Sequence, residues 1–389
     1  MTLNDLFLDS LSAYLNHEPC HAEIPEDFSW EALRVLAVGQ QLLPFVYTSL
    51  QNRLPGEVRA LWRREVMLSI ASQVRRSAVF LDTYRALSEK GFSPLVVKGI
   101  LCRQTYPKPD ERPSSDEDLY VPQEEYPAFH AALLELGFQE DSEYRSDHEG
   151  RYHKGDFVLE GHWELFPQEN RALSILNGLS SGFWERSRFQ EIDGIRLRVL
   201  DPTDHMTFLL LHAFKHFVNS GVGVRQICDA ARWSLAYEIE WARVRQALAL
   251  VRAEVFAGAV MDAGQKFFGM IPPADWTLAD SSALIADALD GGVYGNNTAK
   301  RTHSGNITFA AMQGSADTSH GHAVLRSAFP TRAVMELKYP WVKRSVLLLP
   351  AAWLARITSY LLHGGSREAA ESVSLGSERV KLLKQYKIL

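Results

Sequence analysis

Residues 95–100 and 112–121 read Leu-Val-Val-Lys-Gly-Ile and Arg-Pro-Ser-Ser-Asp-Glu-Asp-Leu-Tyr-Val. The first run is apolar and ends at a glycine, which predicts a short buried strand that turns into a helix. The second run leaves a loop rich in Pro and Ser and enters an apolar stretch, which predicts a second strand over 118–121. Two short strands separated by a helical turn and a polar loop are typical of an α+β fold.

The sequence around these two strands predicts the extent of the fold. Further elements of the sheet region are an amphipathic helix, a strand and a hairpin turning at Asp193-Gly194, expected at 123–136, 156–165 and 189–199. Apolar residues at helical spacing predict helices before and after this region. We therefore predict a small mixed β-sheet core at 91–200, a helical N-terminal region at 1–90 and a helical C-terminal region at 201–389, with a long loop at about 290–325.

Composition narrows the classes of function. The chain has 389 residues, 41 Lys+Arg and 47 Asp+Glu, which gives a net charge of −6 and argues against binding duplex nucleic acid through a general basic surface. The three cysteines are far apart, so neither a zinc site nor a disulfide framework is indicated. The opening segment carries acidic residues, unlike a signal peptide, and no apolar run reaches about 18 residues. We expect a soluble, cytoplasmic protein with no membrane partner.

Two aspartates open the second strand. Successive side chains of a strand point to opposite faces, so Asp116 and Asp118 share one face, about 6.6 Å apart along the strand. Two carboxylates so close repel each other unless a cation lies between them, and ligands that are all oxygen favour Mg²⁺ or Mn²⁺. The simpler alternative is that the acidic triplet is a solvated turn.

A third carboxylate is expected from a neighbouring strand. In the predicted strand over 156–165, alternation places Glu160, His162 and Glu164 on one face. Glu160 is the expected third ligand and a candidate base, with Glu164 in reserve. The alternative is an edge strand with a polar outer face.

Basic and hydroxyl side chains next to these strands are candidates for binding phosphate. Lys98 follows the first strand at a turn whose backbone N–H groups are able to cradle phosphate. Arg112 either clamps a triphosphate in bidentate fashion or forms a surface salt bridge with Asp110 or Glu111. Ser115 either donates to phosphate or serves the loop as an ordinary turn residue.

Three histidines fall on one face of a predicted helix at about 203–217. His205, His212 and His216 lack the glutamate of a zinc-protease HExxH motif, which favours buried, packed histidines. There are two alternatives. One of these histidines lines a pocket for the acceptor, or the protein is a metal phosphohydrolase in which His212 and His216 lie beside the aspartates. Arg225 and Asp229, four residues apart, are interpreted as a surface pair.

The motifs described above, taken together, resemble those of a known family, the uncharacterised nucleotidyltransferases, which is a branch of the polymerase-β-like superfamily. The resemblance covers roughly 90–389. It rests on these segments taken in order: Lys98-Gly99, Tyr106-Pro107, Arg112, Asp116-x-Asp118-Leu119, Glu160-x-His162-Trp163, His212-x-x-x-His216, Arg225 to Asp229, Phe329-Pro330, Tyr339-Pro340, Leu349 to Trp353, Arg356 and Arg379 to Tyr386.

The resemblance implies a minimal nucleotidyltransferase sheet flanked by helices, with Mg²⁺ and a nucleoside triphosphate donor such as ATP. Asp116 and Asp118 match the metal-binding pair, while Lys98 and Gly99 stand at the turn on the phosphate side. Members often accompany gene clusters for natural products (lasso peptides) or polysaccharides.

Three positions depart from the family pattern. Glu117 replaces a residue that is usually apolar, and we expect it to point to the other face of the sheet. Glu160 stands where Asp is usual, which lengthens its reach by one methylene. The common Gly-Ser turn is replaced by Lys98-Gly99-Ile100, so the hydroxyl that often touches phosphate is missing.

The predicted function is metal-dependent transfer of a nucleoside monophosphate from a nucleoside triphosphate to an unidentified small molecule, peptide or protein. The alternative is a catalytically impaired nucleotide-binding or scaffold protein of a biosynthetic cluster. The expected catalytic and metal-binding residues are Asp116, Asp118 and Glu160. The expected nucleotide contacts are Lys98, Gly99, Arg112 and Ser115.

Overall fold

A mixed β-sheet of seven strands organises the described part of the chain, in the order β3-β4-β5-β2-β1-β7-β6. The strands are β1 (Leu95–Val96), β2 (Glu117–Tyr120), β3 (Gln139–Glu140), β4 (Glu149–Lys154), β5 (Phe157–His162), β6 (Arg188–Ile192) and β7 (Ile195–Val199). The computed structural model describes residues 1–168, 170–219, 221–292, 339–363 and 378–389, together with Phe329, Arg332, Met335 and Glu336.

Helices precede, interrupt and follow the sheet. Before it come α1 (Leu3–Leu15), α2 (Trp30–Gly39), α3 (Leu43–Leu50) and α4 (Gly56–Glu89). Between its strands lie α5 (Ile100–Arg103), α6 (Tyr126–Glu135), α7 (Arg171–Ser174) and α8 (Ser180–Glu185). After it come α9 (Pro202–Asn219), α10 (Val224–Ala236), α11 (Trp241–Ala249), α12 (Glu254–Phe268), α13 (Ser282–Gly291) and α14 (Leu349–His363), and residues 378–385 are also helical. The predicted α+β fold with helical extensions is confirmed.

Several element ends follow from residues that the sequence already singles out. Pro55 precedes α4, and Gly91 ends it with a φ of 89°, a left-handed conformation that glycine adopts without strain. Asp193 and Gly194 both have positive φ between β6 and β7, as a tight two-residue hairpin turn requires. The Asp201 carboxylate accepts from the backbone N–H of Thr203 at 2.8 Å, which caps α9.

Other elements differ from the prediction. The helical pattern over 30–50 is interrupted at Gln41, whose φ is 56°, so α2 and α3 are separate helices. The strand expected over 156–165 ends at His162, because the N–H groups of Trp163 and Glu164 both turn to donate to the carbonyl of His148. Strands β3 and β4 were not predicted. Polar residues alternate poorly with apolar ones there, so the pattern gave no period of two.

The sheet and the helices around it share one hydrophobic core, which draws buried side chains from residues 6 to 388. Helix α4 is joined to the sheet by Tyr84, whose hydroxyl donates to the carbonyl of Pro94 at 2.9 Å and accepts from the N–H of Arg198 at 2.8 Å. Division of the chain at 90 and 200 stays a prediction. The loop expected at 290–325 overlaps the end of α13, and its residues from 293 onward lie outside the described residues.

None of the helices in the described ranges combines the length and the apolar character that a membrane span requires.

Candidate active site

Two buried carboxylates face each other across neighbouring parallel strands. Strands β2 and β5 pair in parallel, and Asp118 is the direct partner of Glu160 in their register. Partners in a parallel pair present their side chains on the same face of the sheet. Asp118 and Glu160 retain only 2% and 7% of their solvent exposure. The expectation that a neighbouring strand brings Glu160 next to Asp118 is therefore confirmed, while its role as a ligand stays a prediction.

The two carboxyl groups differ in their expected ionisation. Burial, followed by repulsion from the Asp116 and Glu149 carboxylates, raises the pKa of Glu160 to about 7. Burial also acts to raise the pKa of Asp118, but the Lys98 ammonium and a hydrogen bond from His162 outweigh it and hold that pKa below its usual value. One carboxyl is thus ionised and its neighbour is poised to take up a proton near neutral pH.

Asp116 lies immediately before β2 and remains partly exposed. Its charge is the strongest of the charges that raise the pKa of Glu160, so its carboxylate belongs to the same acidic cleft. Within the described ranges, however, the groups of three side chains whose ligand atoms lie within 4.8 Å of one another do not include Asp116. One such group contains Asp118, Glu160 and His162.

Lys98 reaches into the cleft from the end of β1. Its Nζ is 3.2 Å from Oδ2 of Asp118 and 3.3 Å from Nε2 of His212, and its side chain is 17% exposed. The ammonium therefore compensates the negative charge of Asp118. Contact between Lys98 and a triphosphate stays a prediction.

Glu117 points away from this cleft, as the sequence predicts. Its Oε1 accepts from the Arg103 guanidinium at 2.7 Å, and its Oε2 accepts from the backbone N–H of Ile100 at 2.8 Å. A Cβ placed on Gly99, whose φ is 57°, would lie 1.9 Å from that Oε2. Gly99 is therefore needed both for its backbone conformation and for the approach of Glu117. The N–H of Ile100 is used inside the protein, and the phosphate contact expected of Gly99 stays a prediction.

Arg112 has a partner that the sequence did not suggest. Its Nε and Nη2 donate to the two carboxylate oxygens of Asp229 at 2.7 and 2.6 Å, and the Tyr106 hydroxyl donates to the same Asp229 at 2.7 Å. All three side chains are buried. The surface alternatives with Asp110 and Glu111 are therefore wrong, because the guanidinium turns inward. A nucleotide contact would need this bidentate pair to open, and that role of Arg112 stays a prediction.

The interpretation of Arg225 and Asp229 as a surface pair is also wrong. Both are buried, and Arg225 Nη1 donates to Oε1 of Gln41 and to the carbonyl of Pro113, the latter at 2.8 Å. Ser115 accepts from Nε2 of Gln41 at 3.3 Å. These contacts tie the loop before β2 to helix α10 and to the segment between α2 and α3, and they hold the start of β2. The phosphate contact of Ser115 stays a prediction.

The three histidines of α9 lie in two surroundings. His205 is fully buried and stacks on Trp233 with ring centroids 3.8 Å apart, in agreement with the packing interpretation. His212 and His216 are partly exposed, with their Nε2 atoms 3.3 Å apart next to Lys98. Among the described residues, neither of them belongs to a group that brings three ligand atoms together. The geometry therefore does not favour the metal phosphohydrolase alternative.

Sequence reasoning missed three residues of the cleft. Strand β4 pairs with β5 so that Arg151 is opposite Glu160 and Glu149 is opposite His162. Arg151 Nη2 donates to Oε1 of Glu160 at 2.8 Å, and His148 lies immediately before the same strand. The run Asp147-His148-Glu149 was the available signal, since histidine and carboxylate side chains are the types that ligate metals.

The donor atoms of the cleft suit a hard divalent cation. Asp118 and Glu160 offer carboxylate oxygens within 4.8 Å of each other, and Asp116 lies next to them. Oδ2 of Asp118 is buried and, among the described residues, makes no hydrogen bond, since its contact with Lys98 is an ion pair only. Oxygen ligands of this kind are those that Mg²⁺ and Mn²⁺ prefer. The residues present therefore fit the metal that the resemblance implies.

Comparisons with known proteins bear on the same region. A family model described as "Uncharacterised nucleotidyltransferase" matches residues 26–269. The match begins within the helical N-terminal region and includes β1–β7, whereas the resembling segments from Phe329 onward lie outside it. A search of curated proteins finds no match.

One solved structure is similar to part of the chain, a solution structure of the antibiotic-resistance factor ANT(2'')-Ia. The two are 14% identical, with a TM-score of 0.34, over 47% of this chain and 94% of that one. At that TM-score the likeness carries no argument about this protein.

Proposed function

The chain belongs to the uncharacterised nucleotidyltransferase family, and we propose that it transfers a nucleoside monophosphate from a nucleoside triphosphate to an acceptor, with release of pyrophosphate and with the help of Mg²⁺ or Mn²⁺. The acceptor is a hydroxyl, amine or phosphate group of a small molecule, peptide or protein. Because the protein has a net charge of −6, we do not expect duplex nucleic acid to be the acceptor.

The observation that carries this proposal is the carboxylate cluster across β2 and β5. The pKa of Glu160 reaches about 7 because the group is buried and because Asp116, Glu149 and Asp118 repel its ionised form. Lys98 and Arg151 compensate only part of this negative charge, since the pKa of Glu160 stays raised, so the cluster favours binding of a further cation over a purely structural role.

In the proposed reaction an acceptor oxygen or nitrogen attacks the α-phosphorus of the nucleotide. A bond from the acceptor to phosphorus forms, the bond from phosphorus to the α–β bridging oxygen breaks, and pyrophosphate leaves with that electron pair. Glu160 is our candidate to take the proton of the acceptor. Its pKa of about 7 belongs to the protein without metal, because a bound cation lowers the pKa of a carboxylate that it contacts. Arg151, which donates to Glu160, orients that carboxylate.

The remaining residues hold charge and position. Asp116, Asp118 and Glu160 would hold the metal, which when bound lowers the pKa of the attacking group and neutralises charge on the transferred phosphate. Lys98 pairs with Asp118 in the free protein and is within reach of a triphosphate once the aspartate has another cation partner. Arg112 and Asp229 hold the loop before β2 and so fix Asp116 and Asp118 in place.

The test is pyrophosphate release from each of the four nucleoside triphosphates with Mg²⁺ or Mn²⁺, using the wild type and the double variant Asp116→Ala/Asp118→Ala. We expect release by the wild type with one preferred nucleotide and none by the double variant. Glu140→Ala, at an exposed position of β3, is the matched control and should keep the wild-type rate.

Where no acceptor is supplied, nucleotide binding measured by calorimetry replaces turnover. We expect binding that requires the metal and is lost in the double variant. Absence of both metal-dependent binding and pyrophosphate release would overturn the enzyme proposal and favour the scaffold alternative. Glu117, one of the three departures from the family pattern, bonds to Arg103 and Ile100 on the other face of β2, so it does not support the scaffold alternative.

A further inference from the structure

A second group of possible metal ligands lies beside the proposed catalytic carboxylates, where β4 begins. It consists of His148, Glu149 and His162, whose ligand atoms lie within 4.8 Å of one another. Their side chains are 9%, 6% and 5% exposed. The antiparallel register of β4 and β5 makes Glu149 the direct partner of His162, and His148 precedes it by one residue.

Each imidazole ring is held through one nitrogen by a neighbouring group. Nδ1 of His148 is 2.8 Å from the Ser146 hydroxyl and 3.0 Å from Oδ1 of Asp147, while Nε2 of His162 is 3.0 Å from Oδ1 of Asp118. A carboxylate next to one ring nitrogen keeps the proton there and leaves the lone pair on the other nitrogen. On this basis the lone pair of His148 is on Nε2. His162 lies between the carboxylates of Asp118 and Glu149, which outweigh its burial and raise its pKa, so its Nδ1 would give up a proton when a metal binds.

Both of these nitrogens face the same oxygen. Nε2 of His148 is 3.3 Å and Nδ1 of His162 is 3.1 Å from Oε2 of Glu149. Both nitrogens are buried, and in the described part of the chain neither makes a hydrogen bond of acceptable geometry. In a tetrahedral zinc site with bonds of about 2.0–2.1 Å, neighbouring ligand atoms are about 3.3 Å apart. The two nitrogen–oxygen separations match that spacing, and the two ring nitrogens lie within 4.8 Å of each other.

We propose that His148, Glu149 and His162 bind a divalent transition metal, with Zn²⁺ as the best match, at a site separate from the catalytic carboxylates. Two imidazole nitrogens and one carboxylate oxygen are a known zinc donor set that leaves a fourth position open. Such a set binds Zn²⁺ more tightly than Mn²⁺. The second oxygen of Glu149 accepts from the Tyr144 hydroxyl, which orients the carboxylate toward the rings.

The proposed metal would act on the catalytic cleft through His162. Its ring binds the metal through Nδ1 and donates from Nε2 to Asp118, so the metal fixes the ring that orients this aspartate. His162 is in this sense a positioning residue. Binding itself does not depend on the proposed transfer reaction, because it is measured without nucleotide.

The experiment uses the full-length protein after removal of metals with a chelator. Titration with Co²⁺, whose visible absorption reports its coordination, is made in a large excess of Mg²⁺, which occupies the oxygen ligands of the proposed catalytic site. It should give one equivalent bound, and added Zn²⁺ should displace it. His148→Ala and the isosteric Glu149→Gln should each lower the affinity more than about 10-fold. Lys215→Gln should raise the affinity, because the positive charge of Lys215 lies close enough to His148 and Glu149 to repel a metal cation bound between them.

Two further variants serve as controls. His153→Ala removes a half-buried histidine of β4, and Asp116→Asn weakens only the proposed catalytic site; both should bind Co²⁺ as the wild type does. Circular dichroism melting checks that every variant is folded. The site proposal is overturned if the folded wild type binds neither Co²⁺ nor Zn²⁺, or if binding is lost with Asp116→Asn and kept with Glu149→Gln. Pyrophosphate release is not measured here, so the two proposals fail separately.

Discussion

Glu117 and Asp118 are consecutive carboxylates on β2, and both are buried, yet the protein uses them in opposite ways. Glu117 is matched in full, with Arg103 on one oxygen and the backbone N–H of Ile100 on the other. Asp118 faces Glu160 across the sheet, and one of its oxygens has an ion pair but no hydrogen bond among the described residues. One carboxylate belongs to the architecture of the sheet, and the other is available for chemistry.

The difference arises from the alternation of a strand. One residue along β2 moves a side chain to the other face, where the turn at Gly99 and helix α5 present donors. Burial alone therefore does not identify a functional acid, because both residues have it. What distinguishes Asp118 is that other carboxylates lie on its face and that, within the described ranges, its Oδ2 accepts no hydrogen bond.

The largest expected effect is on activity, and it follows from replacing Asp118, the carboxylate that is available for chemistry. Asp118→Asn keeps an oxygen for the hydrogen bond from His162 but removes the charge, so pyrophosphate release should fall about 100- to 1,000-fold. The folded state should persist, because the side-chain shape is retained. Steady-state rates and a urea denaturation curve measured on the same preparation test both parts. A rate within a few fold of the wild type would remove Asp118 from the proposed metal site.

The converse substitution should affect stability. Glu117→Ala leaves the Arg103 guanidinium, which is 1% exposed, buried without its carboxylate partner, and should lower the free energy of unfolding by about 3–5 kcal/mol. Urea denaturation measures this loss. Asp82→Ala is the control: it breaks an ion pair with Arg85 that is exposed on both sides and should cost no more than about 1 kcal/mol. Equal losses in the two variants would contradict the structural role of Glu117.

The sequence predicted those features of the site that depend on residues close together in the chain, and it missed those that depend on distant residues. Alternation along one strand sufficed to separate Asp118 from Glu117, and a second alternating strand sufficed to suggest Glu160. Arg112 shows the limit, because its partner Asp229 is 117 residues away and on a helix. Glu149 and His148 were missed for a related reason: β4 has no alternating pattern of its own and is defined by its pairing with β5.

His205 differs from both carboxylates, because it is buried in its neutral form. His205 is fully buried against Trp233, and burial lowers its pKa to about 3 from the ordinary 6.5. Between these values the unfolded chain binds a proton that the folded protein does not, so the contribution of His205 to stability is present above about pH 6.5 and is lost as the pH falls.

His205→Phe should therefore make the protein less sensitive to acid. For each pH unit between about 5.5 and 3.5, the free energy of unfolding of the variant should fall by up to about 1.4 kcal/mol less than that of the wild type. Phenylalanine keeps a flat ring for the contact with Trp233, and comparing slopes cancels the effects of His212 and His216, which remain in both proteins. Urea denaturation at a series of pH values gives the two slopes. Equal slopes would mean that His205 is protonated in the folded protein, and burial without a charged partner would then not suffice to keep a side chain neutral in this core.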